Sequence, residues 1–275
     1  MTFDPMARFA GKTVVVTGSG RNKGLGQGIL QRFADEGANC VVSDVTITAE
    51  AEEVAEELRG RGAQVATVAC DVSDPAQCTV LIAEAVTSFG GIDVLVNNAG
   101  IGFMMKPMLE VDPADWAKVI AVNLSGAFYC TQAAAREMVK RSQETGRLGG
   151  RIINIASQAA KTAFPHLPAY VSSKHGMIGL TRASAVELGT HGITVNAVCP
   201  NHVTTALGAE QNAYFSKLLG FSSVEAYLAN MAAKNPMGRP GLPGDTAAAC
   251  AWLASDDAFY VTGEAINVSG GEEMH

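Results

Sequence analysis

The sequence predicts a doubly wound α/β fold, in which about seven parallel strands form a sheet with helices on both faces. Short runs of apolar, β-branched residues recur along the chain, and the first four begin at residues 13, 39, 64 and 92. Each run is apolar throughout, as expected for a strand that is covered on both faces. Helical patterns separate the runs, and this alternation is typical of right-handed βαβ crossovers.

The elements can be placed in chain order. The predicted strands are Thr13–Thr17, Asn39–Ser43, Gln64–Ala69, Ile92–Val96, Arg151–Ala156, Ile193–Val198 and Ala265–Val268. The main predicted helices are Gly24–Gly37, Ala49–Arg61, Pro75–Phe89, Asp112–Ser142, Tyr170–Gly189 and Asp245–Ser255. The least regular stretch, residues 201–243, contains two shorter helical patterns, Thr205–Leu219 and Val224–Lys234, and is predicted to form a lid. No linker or shift in composition divides the chain, so residues 1–275 are predicted to form a single domain.

The composition excludes several classes of protein. Of the 275 residues 48% are hydrophobic, too many for a disordered chain, yet no apolar run approaches the ~18 residues of a membrane span. The 27 acidic and 20 basic residues give a net charge of −7, which would repel nucleic acid and anionic membranes. Asp4, Pro5 and Arg8 leave no room for the apolar segment of a signal peptide. We therefore expect a cytoplasmic protein without nucleic-acid or membrane partners.

The cysteines favour neither a disulfide framework nor a metal centre. They form no CxxC pair, so six reduced and mostly buried thiols are the better interpretation. They are Cys40, Cys70, Cys78, Cys130, Cys199 and Cys250. No carboxylate or cysteine lies at ligand spacing from His166 or His202, and we therefore predict no metal site.

Ligands bind open α/β sheets at the carboxyl ends of the strands, and a glycine-rich turn follows the first strand here. Glycines at such a turn let backbone N–H groups and a helix N-terminus face a pyrophosphate. A glycine-rich turn by itself could also be only a tight connection. The residues of this turn that we expect to contact a dinucleotide are Gly18, Arg21, Gly24, Leu25 and Gly26.

The next three strand ends are also compatible with a dinucleotide. Asp44, which precedes Val45, could accept hydrogen bonds from the adenosine ribose and repel a 2′-phosphate, or it could merely cap a helix. Asp71 and Val72, which follow the third strand, are suited to contact the edge of an adenine ring. The polar turn after the fourth strand would let a ribose lie on the backbone of Asn98, Ala99 and Gly100. Turns that are compatible with a dinucleotide follow four successive strands, and this recurrence argues against coincidence.

The fifth strand is followed by residues that could carry the chemistry. Ser157 comes directly after it, and Tyr170 follows with Lys174 one helical turn later. Residues at i and i+4 share a helix face, so the ammonium can lie close to the phenol. Nearby positive charge favours the phenolate of a tyrosine, whose ordinary pKa is ~10. A tyrosine and a lysine at this spacing, taken alone, are usually a surface pair.

Together, the glycine turn, Asp44, the Asn-Asn-Ala-Gly turn, Ser157, Tyr170 and Lys174 resemble the short-chain dehydrogenase/reductase family. The resemblance extends from Lys12 to about Gly271. It implies a Rossmann-type sheet, a single dinucleotide-binding and catalytic domain, and a lid at residues 201–243 over the substrate.

The resemblance also implies a role for each catalytic residue. Tyr170 would be the general acid–base, and Lys174 would bind the nicotinamide ribose and lower the pKa of the tyrosine. Ser157 would hydrogen-bond the same substrate oxygen. Asn123 matches the family position that holds a water for proton relay.

The chain departs from the family pattern in two places. Five residues separate Gly18 from Gly24, where the family usually has three, and Arg21 and Lys23 in this longer loop could reach the 2′-phosphate of NADP. Asp44 argues the other way, and NAD is favoured over NADP. Asn201 stands where the family usually has glycine, after Pro200. The following Val203 and Thr205 still match positions that touch the nicotinamide and the phosphates.

The substrate is less well indicated. Besides Ser157 and Tyr170, the candidate contacts are Gln158, His166, Asn201, His202 and, in the lid, Leu207, Gln211 and Tyr214. These polar groups suggest a hydroxylated substrate such as a polyol or a sugar, although ordinary loop polarity explains them equally well.

The leading hypothesis is an NAD-dependent dehydrogenase that acts on a secondary alcohol or the corresponding ketone. The alternatives are an NADP-dependent carbonyl reductase of the 3-oxoacyl type, a non-redox enzyme that binds NAD, and a catalytically silent nucleotide sensor. The resemblance further implies a homo-oligomer, a tetramer or a dimer, built through the helices at Asp112–Ser142 and Tyr170–Gly189.

Overall fold

A computed structural model describes residues 7–102, 104–146 and 149–275, and for residues 206 and 207 it describes only the backbone. Its seven parallel strands form one sheet in the order β3-β2-β1-β4-β5-β6-β7. They are β1 (Thr13–Thr17), β2 (Asn39–Asp44), β3 (Val65–Ala69), β4 (Val94–Asn97), β5 (Gly150–Ile155), β6 (Ile193–Pro200) and β7 (Ala265–Val268). Because the strand order reverses between β1 and β4, the sheet is doubly wound, as predicted.

The helices connect successive strands. In the described residues they are α1 (Leu25–Asp35), α2 (Ala49–Gly60), α3 (Pro75–Phe89), α4 (Pro113–Ile120), α5 (Gly126–Thr145), α6 (Pro168–Leu188), α7 (Ala206–Leu218), α8 (Val224–Lys234) and α9 (Pro243–Ala254). Side chains cap several of their N-termini: Thr48 accepts from Ala51 N at the start of α2, and Asp74 accepts from Ala76 N at the start of α3. The predicted elements are present, with most boundaries shifted by one or two residues.

One prediction needs correction. The single helix expected over Asp112–Ser142 is divided into α4 and α5 by a π-helical segment, Ala121–Ser125. Its turns are wider than those of an α-helix, and such segments often occur at functional sites. Apolar periodicity could not reveal this, because the apolar stripe continues across the segment.

The core explains why the strands are apolar throughout. Successive side chains of a strand point to opposite faces of a sheet. Val14 and Val16 of β1 therefore pack in the cluster that contains residues of α1 and α9, whereas Val15 packs in the cluster on the other face, with residues of α3 and α5. All six cysteines are buried free thiols, as predicted. Within the described ranges, no helix has the length and apolar character needed to cross a membrane.

The last residues of the chain fold back over the sheet. After β7, the side chain of Glu272 accepts a 2.6 Å hydrogen bond from Asn201, which follows β6. Glu273 accepts a 3.2 Å bond from Gln158, which follows β5. The C-terminal segment therefore lies at the same edge of the sheet as the predicted site.

Candidate active site

A cleft of about 1030 Å³ lies at the carboxyl ends of the strands. It brings together nearly all the residues that the sequence analysis assigned to cofactor or catalysis. Those that line it are Gly18, Arg21, Gly24, Leu25, Asp44, Val45, Asp71, Val72, Asn98, Ala99, Gly100, Ser157, Tyr170, Lys174, Pro200, Val203 and Thr205. The two exceptions, Gly26 and Asn123, are buried behind the cleft wall.

The glycine turn after β1 is held by the turn after β4. The side chain of Asn98 donates hydrogen bonds of 2.9 Å to the carbonyl oxygens of Thr17 and Gly18. A Cβ at Gly26 would lie 2.7 Å from the Cα of Ser19 and 2.8 Å from Gly18 O, closer than real side chains approach. Only glycine therefore fits at position 26, where α1 passes directly beneath the turn.

The N-terminus of α1 is suited to a pyrophosphate. Gly24 precedes the helix and offers no side chain to its first-turn amides, which therefore remain available to a ligand. This cradle of glycines and uncapped amides fits the diphosphate of a dinucleotide.

The part of the cleft on the β2 side of the glycine turn can hold an adenosine. Asp44 Oδ2 accepts a 3.1 Å hydrogen bond from Gly20 N, and Asp44 Oδ1 accepts a 2.9 Å bond from Val45 N. These bonds fix the carboxylate, and each of its oxygens retains a lone pair for a ribose hydroxyl. Asp71 accepts from both the backbone N and the hydroxyl of Ser73. Its carboxylate thus holds the loop whose next residue, Val72, borders the cleft.

Tyr170 and Lys174 lie on successive turns of α6. The Nζ atom of Lys174 donates a 2.7 Å hydrogen bond to Ile155 O and lies 5.7 Å from the centre of the Tyr170 ring. Burial lowers the pKa of Lys174 to about 8. Burial also raises the pKa of Tyr170, opposed by a hydrogen bond from Ser157 that lowers it. The three side chains therefore meet at one point of the cleft.

Asn123 lies in the π-helical segment and is completely buried. Its side chain accepts a 2.8 Å bond from Ile101 N and donates bonds of 2.9 Å to Ile101 O and 3.1 Å to Ser173 Oγ. It therefore ties the loop after β4 to α6 behind the catalytic residues.

Most of the predicted substrate residues line the cleft, but several already hold hydrogen bonds within the protein. Gln158, Asn201, His202 and Gln211 line the cleft, but the amide of Gln211 is already bonded to Gly102 O at 2.9 Å. As described above, Gln158 and Asn201 are bonded to the C-terminal glutamates.

Two of the candidates do not line the cleft at all. His166 and Tyr214 bond to each other, with 2.8 Å between Nδ1 and the phenol oxygen. This bond occupies His166 Nδ1 and the Tyr214 hydroxyl with each other, and a contact of either residue with substrate stays a prediction. The side chain of Leu207 lies outside the described residues.

His202 retains a free polar atom. Its backbone is left-handed, with a φ of +42°, and its Nε2 is buried without a hydrogen-bond partner among the described residues. Burial lowers the pKa of His202, which keeps the imidazole neutral near pH 7.

The sequence analysis missed an apolar wall at the substrate end. The wall begins in the loop after β5. It continues along α7 and the residue that follows this helix, and it ends on α8. Its residues are Phe164, Pro165, Leu167, Phe215, Leu219, Tyr227 and Met231. Phe215 and Leu219 are four residues apart, as are Tyr227 and Met231, so the spacing of one helix face could have revealed them.

No group of three or more histidine, cysteine or acidic side chains in the described ranges is arranged to hold a metal ion.

The chain is similar to proteins of known family over nearly all of its length. A family model described as enoyl-(acyl carrier protein) reductase matches residues 18–273. The chain is 38% identical to 3beta-hydroxysteroid dehydrogenase 1 of Eggerthella lenta, with 96% of this chain and 95% of the relative covered. It is 36% identical to the 3-oxoacyl-(acyl-carrier-protein) reductase FabG of Staphylococcus aureus, with 96% and 98% covered.

Solved structures give the same result. A crystal structure from Sinorhizobium meliloti 1021, described as a short-chain alcohol dehydrogenase, matches with a TM-score of 0.86 at 33% identity and covers 98% of both chains. An NAD⁺-bound xylitol dehydrogenase matches with a TM-score of 0.88 at 29% identity and covers 96% of this chain and 99% of that one. The chain therefore belongs to the short-chain dehydrogenase/reductase family, whose members use a nicotinamide dinucleotide, and is an oxidoreductase that acts on CH–OH groups.

Proposed function

We propose that the protein transfers a hydride between NAD(H) and a secondary alcohol or the corresponding ketone. The observation that carries this proposal is the meeting of Ser157, Tyr170 and Lys174 in one cleft whose opposite end presents Asp44. A catalytically silent nucleotide sensor would not need this grouping of buried polar side chains. The non-redox alternative remains an outcome of the screen described below.

Each catalytic side chain has one task in the oxidation of an alcohol. A bound nicotinamide would supply the acceptor for the hydride of the carbinol carbon. Tyr170 Oη takes the hydroxyl proton as general base, and it returns a proton to the carbonyl oxygen in the reverse direction. Ser157 Oγ donates a hydrogen bond to the same oxygen and stabilises the charge that develops there. The protonated Lys174 favours the phenolate of Tyr170 electrostatically.

Asn123 is proposed to hold a water that relays the proton toward solvent. A Cβ at Gly100 would lie 3.4 Å from Asn123 Oδ1 and 3.7 Å from Lys174 Nζ, so glycine leaves space beside both atoms. The Oδ1 atom accepts one bond from Ile101 N and has a second lone pair for a water. This placement supports a water that bridges the amide and the ammonium.

Asp44 supports NAD as the preferred cofactor. Its carboxylate can accept hydrogen bonds from the adenosine ribose, and it would repel the 2′-phosphate of NADP. Arg21 is exposed and lines the cleft, and its charge opposes this preference. The carboxylate of Asp44 is fixed by two backbone amides, whereas the side chain of Arg21 extends into solvent.

The substrate end favours a substrate with a bulky apolar body. The amides of Gln158, Asn201 and Gln211 are bonded within the protein. Each of these bonds occupies one donor of the amide, which leaves fewer free donors for the hydroxyl groups of a polyol. An apolar ring system or chain can instead pack against Phe164, Phe215 and the other residues of the apolar wall.

A polyol or sugar substrate remains the second candidate. The structural similarity to an NAD⁺-bound xylitol dehydrogenase favours it. Under this alternative, a hydroxyl group of the substrate would have to reach the buried Nε2 of the neutral His202 imidazole, which has no hydrogen-bond partner among the described residues.

Three further assignments belong to the same proposal. Residues 201–243 would close over the substrate, since α7 and α8 supply part of the cleft wall. The chain would form a homo-oligomer through α5 and α6, where Phe128 and Val186 are exposed. A cytoplasmic location is supported by the six buried free thiols.

The test is a screen at 340 nm that pairs NAD and NADP with polyols, sugars, acyclic secondary alcohols, hydroxysteroids and 3-hydroxyacyl thioesters, each with the corresponding ketone. NADH formation with an alcohol of large apolar body supports the proposal in full. Turnover of polyols alone overturns the apolar substrate, and turnover with NADP alone favours the 3-oxoacyl type of reductase. Silence across the panel with retained NAD binding favours the non-redox or sensor alternatives.

A further inference from the structure

The long loop between Gly18 and Gly24 is attached to the acidic face of α2. Asn22 N donates a 2.8 Å hydrogen bond to Glu50 Oε1, and the side-chain amide of Asn22 donates a 2.9 Å bond to Glu53 Oε2. The residues that lengthen the loop therefore lie against the first turns of α2, and the rest of the cleft remains open.

A side chain of α1 also links the loop to α2. Gln27 accepts a 2.6 Å bond from Lys23 N and donates a 2.6 Å bond to Glu57 Oε2. Lys23 itself has a left-handed backbone, with a φ of +58°, which is costly for a residue other than glycine. The bonds around it hold the loop in this conformation.

The attachment brings a second carboxylate to the loop that holds Asp44. Gly20 N binds Asp44 and Asn22 N binds Glu50, so both carboxylates are anchored to amides only two residues apart. Two residues span at most about 7 Å of chain. A Cβ at Gly20 would lie 2.9 Å from the Cβ of Ala51 and 3.1 Å from that of Asp44, so α2 and the end of β2 contact the same point of the loop.

We propose that Glu50 is a second determinant of cofactor specificity, which acts with Asp44 to exclude the 2′-phosphate of NADP. This inference rests on the proposed binding of a dinucleotide with its adenosine at Asp44. One oxygen of Glu50 is held by Asn22 N, two residues from the amide that holds Asp44, and the carboxylate adds a negative charge to this part of the loop.

The position of Glu50 on α2 strengthens this effect. A helix N-terminus carries a partial positive charge and attracts phosphate groups. The N-terminus of α2 follows β2 closely, with Thr48 as its cap, and Glu50 and Glu52 lie in its first turn. These carboxylates cancel the attraction that the bare helix terminus would exert on a 2′-phosphate. They also oppose the charge of Arg21 in the same loop.

The test separates the charge of Glu50 from its hydrogen bond. In Glu50→Gln the amide oxygen can still accept from Asn22 N, so only the charge is lost. In Glu50→Ala the hydrogen bond is lost as well. Glu56→Gln is the matched control, because Glu56 lies nearly two turns further along α2 and pairs with Arg59 instead of the loop. Isothermal titration calorimetry of each variant with NAD⁺ and NADP⁺ gives the ratio of the two dissociation constants at low and at high salt.

We expect Glu50→Gln to tighten NADP⁺ binding about three- to tenfold and to leave NAD⁺ binding nearly unchanged. The gain should shrink at high salt, because an exposed charge is screened. Glu50→Ala should weaken the binding of both nucleotides, since the loop is released. Equal ratios in Glu50→Gln and Glu56→Gln would overturn the role of Glu50.

The same experiment distinguishes this inference from the proposed cofactor preference. If the wild type binds NADP⁺ more tightly than NAD⁺ and Glu50→Gln still tightens NADP⁺ binding, the NAD preference is wrong and the role of Glu50 stands. If the wild type binds neither nucleotide, both proposals fail.

Discussion

Lys174 and Tyr170 lie together in a site that disfavours the charge of each. The ammonium is 5.7 Å from the centre of the phenol ring, and burial lowers the pKa of the lysine to about 8 while it raises the pKa of the tyrosine. Either charge alone is costly in such surroundings, but opposite charges on the two groups stabilise each other. A phenolate at Tyr170 therefore depends on a protonated Lys174.

Tyr170→Phe should abolish turnover and leave cofactor binding within about threefold of the wild type. General acid–base catalysis contributes roughly 10²- to 10⁴-fold, and phenylalanine keeps the packing of the ring without the acidic proton. Steady-state rates and nucleotide titration measure the two effects separately. Tyr129→Phe is the control for a half-buried tyrosine outside the cleft. Substantial residual activity in Tyr170→Phe would remove the acid–base role.

The buried ammonium of Lys174 should make stability depend on pH. Its folded-state pKa of about 8 lies below the ordinary value of 10.5, so between these pH values the unfolded chain holds a proton that the folded protein lacks. Stability must then rise with pH through this window, by as much as about 3 kcal/mol. The variant Lys174→Met has no ammonium at this position, so its stability lacks this dependence on pH.

Urea denaturation of the cofactor-free protein at several pH values measures this difference. We expect the wild type to gain stability relative to Lys174→Met between pH 8 and 10.5. If the free energy of unfolding changes with pH in the same way in the two proteins, the ammonium of Lys174 is solvated in the folded state.

Asp44→Ser combined with Val45→Arg should shift the cofactor preference toward NADP by about tenfold or more. The first change removes the carboxylate that repels a 2′-phosphate, and the second adds a cation at an exposed position beside it. The measurement is kcat/KM with each cofactor in the presence of a substrate found by the screen. An unchanged NAD/NADP ratio would show that Asp44 does not contact the ribose.

The fold could be predicted from the sequence because each strand is covered on both faces. Val14, Val15 and Val16 each point into an apolar cluster, so the run is recognisable without knowledge of its partners. It could also be predicted that the residues at the strand ends line one cleft, since every strand end of a parallel sheet reaches the same edge. Local sequence therefore determines which side chains can line the cleft.

The substrate end could not be predicted in the same way. The hydrogen bond of Asn201 to Glu272 joins residues that lie 71 positions apart, and that of Gln158 to Glu273 joins residues 115 apart. No local pattern shows that these amides are already occupied. The polar sequence around them therefore suggested a hydroxylated substrate, whereas in the folded chain both amides already hold a hydrogen bond to the C-terminal segment.

Gly26→Ala should destabilise the fold by roughly 1–3 kcal/mol and weaken nucleotide binding. The added methyl group would lie 2.7 Å from the Cα of Ser19 and 2.8 Å from both Asn98 Nδ2 and Gly18 O. Two of these atoms belong to backbone, so the glycine turn itself has to move away from α1. Gly244→Ala near the start of α9 is the control, because its Cβ would meet nothing within 4 Å. Thermal denaturation and titration with NAD⁺ should show a loss of stability and of NAD⁺ affinity only for Gly26→Ala. Equal stability and affinity in the two variants would mean that the glycine turn can move without an energetic cost.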